Sequence, residues 1–140
     1  MLEVRDMEVA YGEILALKGI SFTLTEGELV TIIGANGAGK TTILRALMGL
    51  AKCQKGTILF RGKEITQSPP HRRARLGISP VPEGRRIFSD LTVAENLLMG
   101  AYAQEDRKTI FTRMEEAFRL FPILKERRNQ VGKTLSGGEQ

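Results

Sequence analysis

A chain of 140 residues has room for one ordinary domain, and 41% hydrophobic with 26% charged residues is a globular composition that excludes a disordered or collagen-like polymer. No run is long and apolar enough to span a bilayer, and the acidic start (Glu3, Asp6, Glu8) argues against a secretory leader. The net charge of +5 gathers in Arg72-Arg73-x-Arg75, Arg85-Arg86 and Arg127-Arg128; with no interleaved aromatics, these read as a solvated basic face rather than a nucleic-acid platform. The single cysteine, Cys53, excludes an internal disulfide and suits a reducing compartment. His71 has no histidine partner, so both residues read as structural.

Residues 2–9 alternate apolar and polar, the pattern of a half-buried strand, and Tyr11-Gly12 closes it as a turn. Leu15, Leu17, Ile20, Phe22 and Leu24 continue as strand, with Glu26-Gly27 as the next turn. Leu29–Ile33 is a short continuous run of strand formers and predicts a strand buried on both faces.

The segment that follows organises the chain. Gly34-Ala-Asn36-Gly37-Ala38-Gly39-Lys40-Thr41-Thr42 fits G-x-x-x-x-G-K-[ST], and Ile43, Leu44, Leu47 and Met48 then recur at helical spacing before Gly49. Strand, glycine loop and helix come in the order a phosphate loop requires. The glycines let backbone N–H groups converge on anionic oxygens, and the helix start adds its positive end. Lys40 supplies a full charge for the β- and γ-phosphates, and the Thr41 hydroxyl is a ligand for Mg²⁺.

Beyond the helix, Lys55-Gly56 predicts a turn, Thr57–Phe60 a strand and Arg61-Gly62-Lys63 a tight turn. Ser68-Pro69-Pro70 can start a short helix bearing the first arginine group. Gly77–Pro82 reads as a strand weakened by two prolines, and Glu83-Gly84-Arg85-Arg86 as a loop. Near Ser89 the character turns helical. Thr92 and Glu95 have capping-box spacing, and a longer helix is expected over about Arg107–Leu120, stopped by Pro122. Its face of Ile110, Met114, Ala117 and Phe121, flanked by Phe111 and Phe118, reads as core. Ser136 and Glu139 repeat the capping-box spacing beside Gly137 and Gly138, which leaves N–H groups open to an anion.

Leu135-Ser-Gly-Gly-Glu-Gln140, placed after the phosphate loop, resembles the signature of ATP-binding-cassette (ABC) ATPases, and the resemblance covers essentially the whole chain. Val81–Leu97 and Leu120–Arg128 are most similar to ATP-binding subunits of branched-chain amino acid importers. Most ABC ATPases have glutamine where this chain has Glu83; the importer group has Pro-Glu-Gly-Arg there.

The resemblance implies an α/β P-loop core with an N-terminal antiparallel β segment (1–88) and a helical subdomain (89–140) ending at the signature. It implies ATP and Mg²⁺ as cofactors. Tyr11 would stack on adenine, residues 36–42 would cradle the triphosphate, and Thr41 and Glu83 would serve the metal. Ser136, Gly137 and Gly138 would clamp the γ-phosphate held by a second ATPase subunit, alike or different.

Membrane permease subunits would dock near the loop from Glu83 to Leu97, placing the protein peripherally on the cytoplasmic face of the inner membrane. The implied activity is transport-coupled ATP hydrolysis powered by dimer closure. Alternatives are another cargo, such as urea or an amide, or a soluble ABC protein acting on nucleic acid or the ribosome; no nucleic-acid partner is expected. The family's hydrolytic Asp, Glu and His lie past the signature, so no catalytic residue is assigned within these residues. The chain is therefore expected to be the front portion of a longer ATPase, leaving apolar edges of the phosphate-loop strand exposed.

Overall fold

The computed structural model describes residues 1–84 and 86–140; Arg85, one half of an arginine pair, lies outside the described residues. The chain forms two compact units, Met1–Pro80 and Val81–Gln140. The division falls ahead of the boundary read near Ser89 because Ile87 and Phe88 are engaged by the second unit. Asn96 accepts from the Phe88 N–H (2.8 Å) and donates back to its carbonyl (3.0 Å), and the Ile87 side chain lies against Gly132.

The first unit is built on an antiparallel sheet of order β2-β1-β3-β4: β1 (Leu2–Tyr11), β2 (Ile14–Leu24), β3 (Cys53–Phe60) and β4 (Lys63–Glu64). Val4, Met7 and Val9 of β1, Leu17 of β2 and Ile58 of β3 are buried against Ala46 of helix α1 (Lys40–Leu47). The spacing from Val4 to Met7 breaks strict alternation, and the break is a β-bulge. Asp6 takes φ 46°, and the register slips between Arg5 and Glu8 in β1–β3 and between Val4 and Met7 in β1–β2.

The slipped segment is pinned by Ser21, whose Oγ accepts from the Asp6 N–H (2.8 Å) and donates to its carboxylate (3.1 Å). Gly56 (φ 88°) faces this bulge so closely that a Cβ would collide with the Arg5 and Asp6 carbonyls. Gly56 therefore sits inside β3 as a bulge partner, not in the turn expected at Lys55-Gly56. The β3–β4 turn is at Arg61-Gly62, both with positive φ, a pairing that matches the twist of a two-residue hairpin.

Two expected strands do not form. Leu29–Ile33 has no ladder, and Leu29 and Ile33 are 93% and 90% exposed. A strand that buries both faces needs parallel neighbours, and the described strands pair antiparallel with one another. Gly77–Pro82 is likewise irregular, with Pro80 and Pro82 lacking ladder donors.

Helix α2 (Pro70–Arg75) starts with proline in its first turn, as read. Its arginines are not all surface residues, however: Arg73 is 2% exposed. Its guanidinium donates to the carbonyls of Ser68 (2.8 Å), Ala46 (2.7 Å), Leu47 (2.8 Å) and Thr66 (2.8 Å). Two of these belong to the last turn of α1, the negative end of that helix. That end also has a Schellman closure, with Leu50 N–H to Arg45 O (2.8 Å) and Gly49 N–H to Ala46 O (3.0 Å).

The second unit contains α3 (Val93–Gly100), α4 (Arg107–Leu120), α5 (Pro122–Glu126) and a 3₁₀ turn (Gly132–Thr134). The capping box is complete: Thr92 Oγ1 accepts from the Glu95 N–H (3.2 Å), and the Glu95 carboxylate accepts from the Thr92 N–H (2.7 Å). The bonds that the Glu95 carboxylate accepts from the Thr92 N–H and hydroxyl hold its pKa below the ordinary value. Asp106 caps α4 through the N–H groups of Lys108 and Thr109. Pro122 ends α4 and opens α5. The core here is Val93, Phe118 and Leu135, with Leu97, Met114 and Leu124 beside it. Phe111 and Phe121 are exposed, contrary to the expected stripe; Phe121 has left the helix (φ −130°, ψ 77°) and so leaves the buried face.

Candidate functional site

The segment Gly34–Thr42 forms the loop its glycines imply. Ala38 N–H closes a turn onto the Ala35 carbonyl (3.2 Å), Gly37 takes φ 84°, and Gly39 (φ 91°) sits as N-cap of α1. No side chain caps this helix and no acid lies in its first turn, so its first N–H groups and partial positive charge face the loop. Lys40 Nζ donates to Gly34 O (2.6 Å) and Ala35 O (2.7 Å). The ammonium is thus held by the loop's own carbonyls, with a third N–H left for a ligand.

Asn36, Ala38 and Thr41 are exposed, and Thr42 is half-buried. The loop's backstop, which sequence reasoning missed, is β2. A Cβ on Gly39 would meet Leu17 Cδ2 at 2.7 Å and the Ala16 carbonyl at 3.2 Å. Gly39→Ala combines this clash with a left-handed φ, and is expected to lower stability by about 1–3 kcal/mol. Chemical denaturation measures it, and an unchanged midpoint would contradict the packing.

Tyr11 ends β1 beside the β1–β2 turn, cross-strand from Ile14 and 45% exposed, so its ring is free to meet a flat partner. Glu83 belongs to the second unit and is exposed; its carbonyl accepts from Arg86 Nε (3.3 Å). Among the described residues, no group of three or more His, Cys, Asp or Glu could hold a metal. Mg²⁺ bound here would rest on Thr41 and on a ligand's own oxygens, a sparse protein contribution of the kind that ion accepts.

The Leu135–Gln140 segment also lies in the second unit. Leu135 is buried, while Ser136, Gly137 and Gly138 are exposed. Half of the expected capping box is present: the Glu139 carboxylate accepts from the Ser136 N–H (2.8 Å). Gln140 N–H reaches the Ser136 carbonyl (3.2 Å), the first helical bond of a turn. Gln140 Nε2 donates to the carbonyls of Gly132 (3.1 Å) and Leu135 (3.0 Å). Arg127 Nη1 pairs with Glu139 (2.9 Å). The segment's two ends are therefore tied down and its middle is presented to solvent. The structure gathers residues 34–42 in one unit and places Glu83 and Ser136–Gly138 in the other.

A glycine loop with its lysine at an uncapped helix start is the arrangement of a P-loop nucleotide-binding protein. The ABC transporter family profile matches residues 17–140, and the chain belongs to that family.

It is 45% identical over its full length to the high-affinity branched-chain amino acid transport ATP-binding protein BraG of Pseudomonas aeruginosa, covering 60% of that protein. It is 35% identical to the probable branched-chain amino acid transport ATP-binding protein LivF of Archaeoglobus fulgidus, covering 59%. The xylose/arabinose import protein XylG of Sulfolobus acidocaldarius is 31% identical, with 57% covered. A solved ATP-binding subunit of an ABC transporter superposes with TM-score 0.82 at 28% identity, over 99% of this chain and 57% of that one. The chain thus spans about 60% of the length of these branched-chain amino acid transport relatives.

Proposed function

We propose that this chain carries the ATP-binding part of an ABC importer's energy-coupling subunit, with branched-chain amino acids as cargo. The observation that carries the reading is the phosphate loop, already bent around Lys40 at an uncapped helix start. Loop amides and Lys40 would hold the ATP phosphates, Thr41 would ligate Mg²⁺ and Tyr11 would stack on adenine. Glu83 would join the metal site when the subunit is assembled.

Ser136, Gly137 and Gly138, exposed and held open, suit a phosphate presented by a second subunit. Closure of two such subunits on ATP, and reopening after hydrolysis, is a shift between two states driven by differential nucleotide contacts. Among the described residues no helix is long and apolar enough to cross a membrane. The likeness to import ATP-binding subunits supports permease partners for membrane passage, with this subunit peripheral on the cytoplasmic face.

The cargo rests on the identity to BraG and LivF, and the XylG match keeps a sugar in view. Burial of Arg73 removes one cation from the basic cluster, which weakens a nucleic-acid reading. The intact transporter, reconstituted in vesicles, tests the proposal. Leucine, isoleucine or valine with its binding protein should raise ATP hydrolysis several-fold, and xylose should not. Stimulation by xylose alone would replace the cargo, and no nucleotide turnover under any condition would end the reading.

A further inference from the structure

We infer that Arg127 is a positioning residue for the Ser136–Gly138 segment, acting through Glu139, and that it keeps this segment competent to receive a phosphate from a second copy. The inference rests on the proposed role of that segment and deepens it.

The geometry is a relay of three groups. Arg127 closes α5, and its backbone is fixed on both sides: its N–H bonds Ile123 O (3.1 Å) and its carbonyl accepts from Gln130 N–H (2.8 Å). From this fixed base, Nη1 donates to Glu139 Oε2 at 2.9 Å. The same oxygen accepts from the Ser136 N–H at 2.8 Å. The Glu139 side chain is 18% exposed, and its bonds from Ser136, assisted by the charge of Arg127, hold its carboxyl below the ordinary carboxylate range.

Two consequences follow. The carboxylate orients the Ser136 backbone, so that the serine and both glycines face solvent rather than folding onto the unit. It also puts a negative charge next to the place where a phosphate must dock, and an unneutralised carboxylate there would repel it. Arg127 both fixes that carboxylate and offsets its charge. Arg128, the neighbouring arginine, is exposed and does not contact it.

The test uses the full-length protein in its transport complex. Arg127→Ala should lower maximal ATP turnover and ATP-driven subunit closure about tenfold, while MgATP affinity of the separate subunit stays within about twofold. Arg127→Lys should recover much of the loss by restoring the charge. Adding Glu139→Gln to Arg127→Ala should bring turnover back to within about threefold of the parent, because the uncompensated charge is gone. A residue needed for folding alone would not be rescued by removing its partner's charge. Gly137→Asp, which puts a carboxylate in the segment itself, is the reference. If it abolishes turnover while Arg127→Ala does not lower it, the inference fails and the role of the segment stands. If Gly137→Asp also has no effect, the role of the segment fails with it. Loss in Arg127→Ala with no rescue in the double variant, or with an equal loss of mononucleotide affinity, overturns the relay.

Discussion

Replacing Arg73 with alanine is expected to lower stability by about 3–5 kcal/mol, a fall in Tm of about 10 °C or more. Arg73 is 2% exposed, and its guanidinium donates to four carbonyls drawn from three parts of the first unit: Thr66, Ser68, and the last turn of α1 at Ala46 and Leu47. Burial lowers its pKa, but an arginine keeps its charge. Among the described residues no carboxylate pairs with it; the helix's negative end and the carbonyl dipoles compensate it instead. Truncation would take this donor from all four carbonyls, Ala46 keeping only the Gly49 N–H among the loop bonds, and open a cavity beside Gly49, where an added Cβ would meet the Arg73 side chain. Arg73→Lys should recover less than half, because one ammonium cannot reach four acceptors in a fork geometry. Thermal and denaturant unfolding of the two variants decide the matter, and a Tm within about 2 °C of the parent would refute it.

Lys40→Ala is expected to weaken MgATP binding about 10- to 100-fold, the equivalent of losing one charge-assisted hydrogen bond of roughly 1.5–3 kcal/mol. The substitution should barely change stability, since the Gly34 and Ala35 carbonyls it releases lie in an exposed loop and can bond water. Lys40→Arg should not restore binding. The loop holds a compact ammonium at 2.6 and 2.7 Å from two carbonyls, and a planar guanidinium has a different shape and reach. Titration with MgATP alongside a thermal melt separates the two effects. Affinity within about threefold of the parent would remove Lys40 from the site.

The contrast between these two residues shows where local pattern suffices. The bend of the loop around Lys40 follows from local pattern, because glycines, lysine and helix start are contiguous and their geometry depends little on distant residues. Arg73 was read as part of a solvated cluster, because a burial event that joins residues 46, 47, 66, 68 and 73 has no local signature. The Arg127–Glu139 pair was missed for the same reason: twelve residues separate its members.

Contiguous chemistry was therefore legible in the chain: the cap at Thr92, the proline start of α2, the extent of α4, the phosphate loop, and the signature that points to the family. Tertiary packing decided the rest. Whether Leu29–Ile33 pairs as a strand depends on neighbours that local hydrophobicity does not specify, and here its side chains stand exposed. Whether Phe118 or Phe121 enters the core depends on where α4 ends against α5. Residues 2–9 read as plain alternation, and the bulge between Val4 and Met7 emerges only from the pairing, where both registers slip and Gly56 of β3 meets the Arg5 and Asp6 carbonyls. Propensities and motifs act over a few residues, whereas burial and pairing are settled by partners brought together from afar.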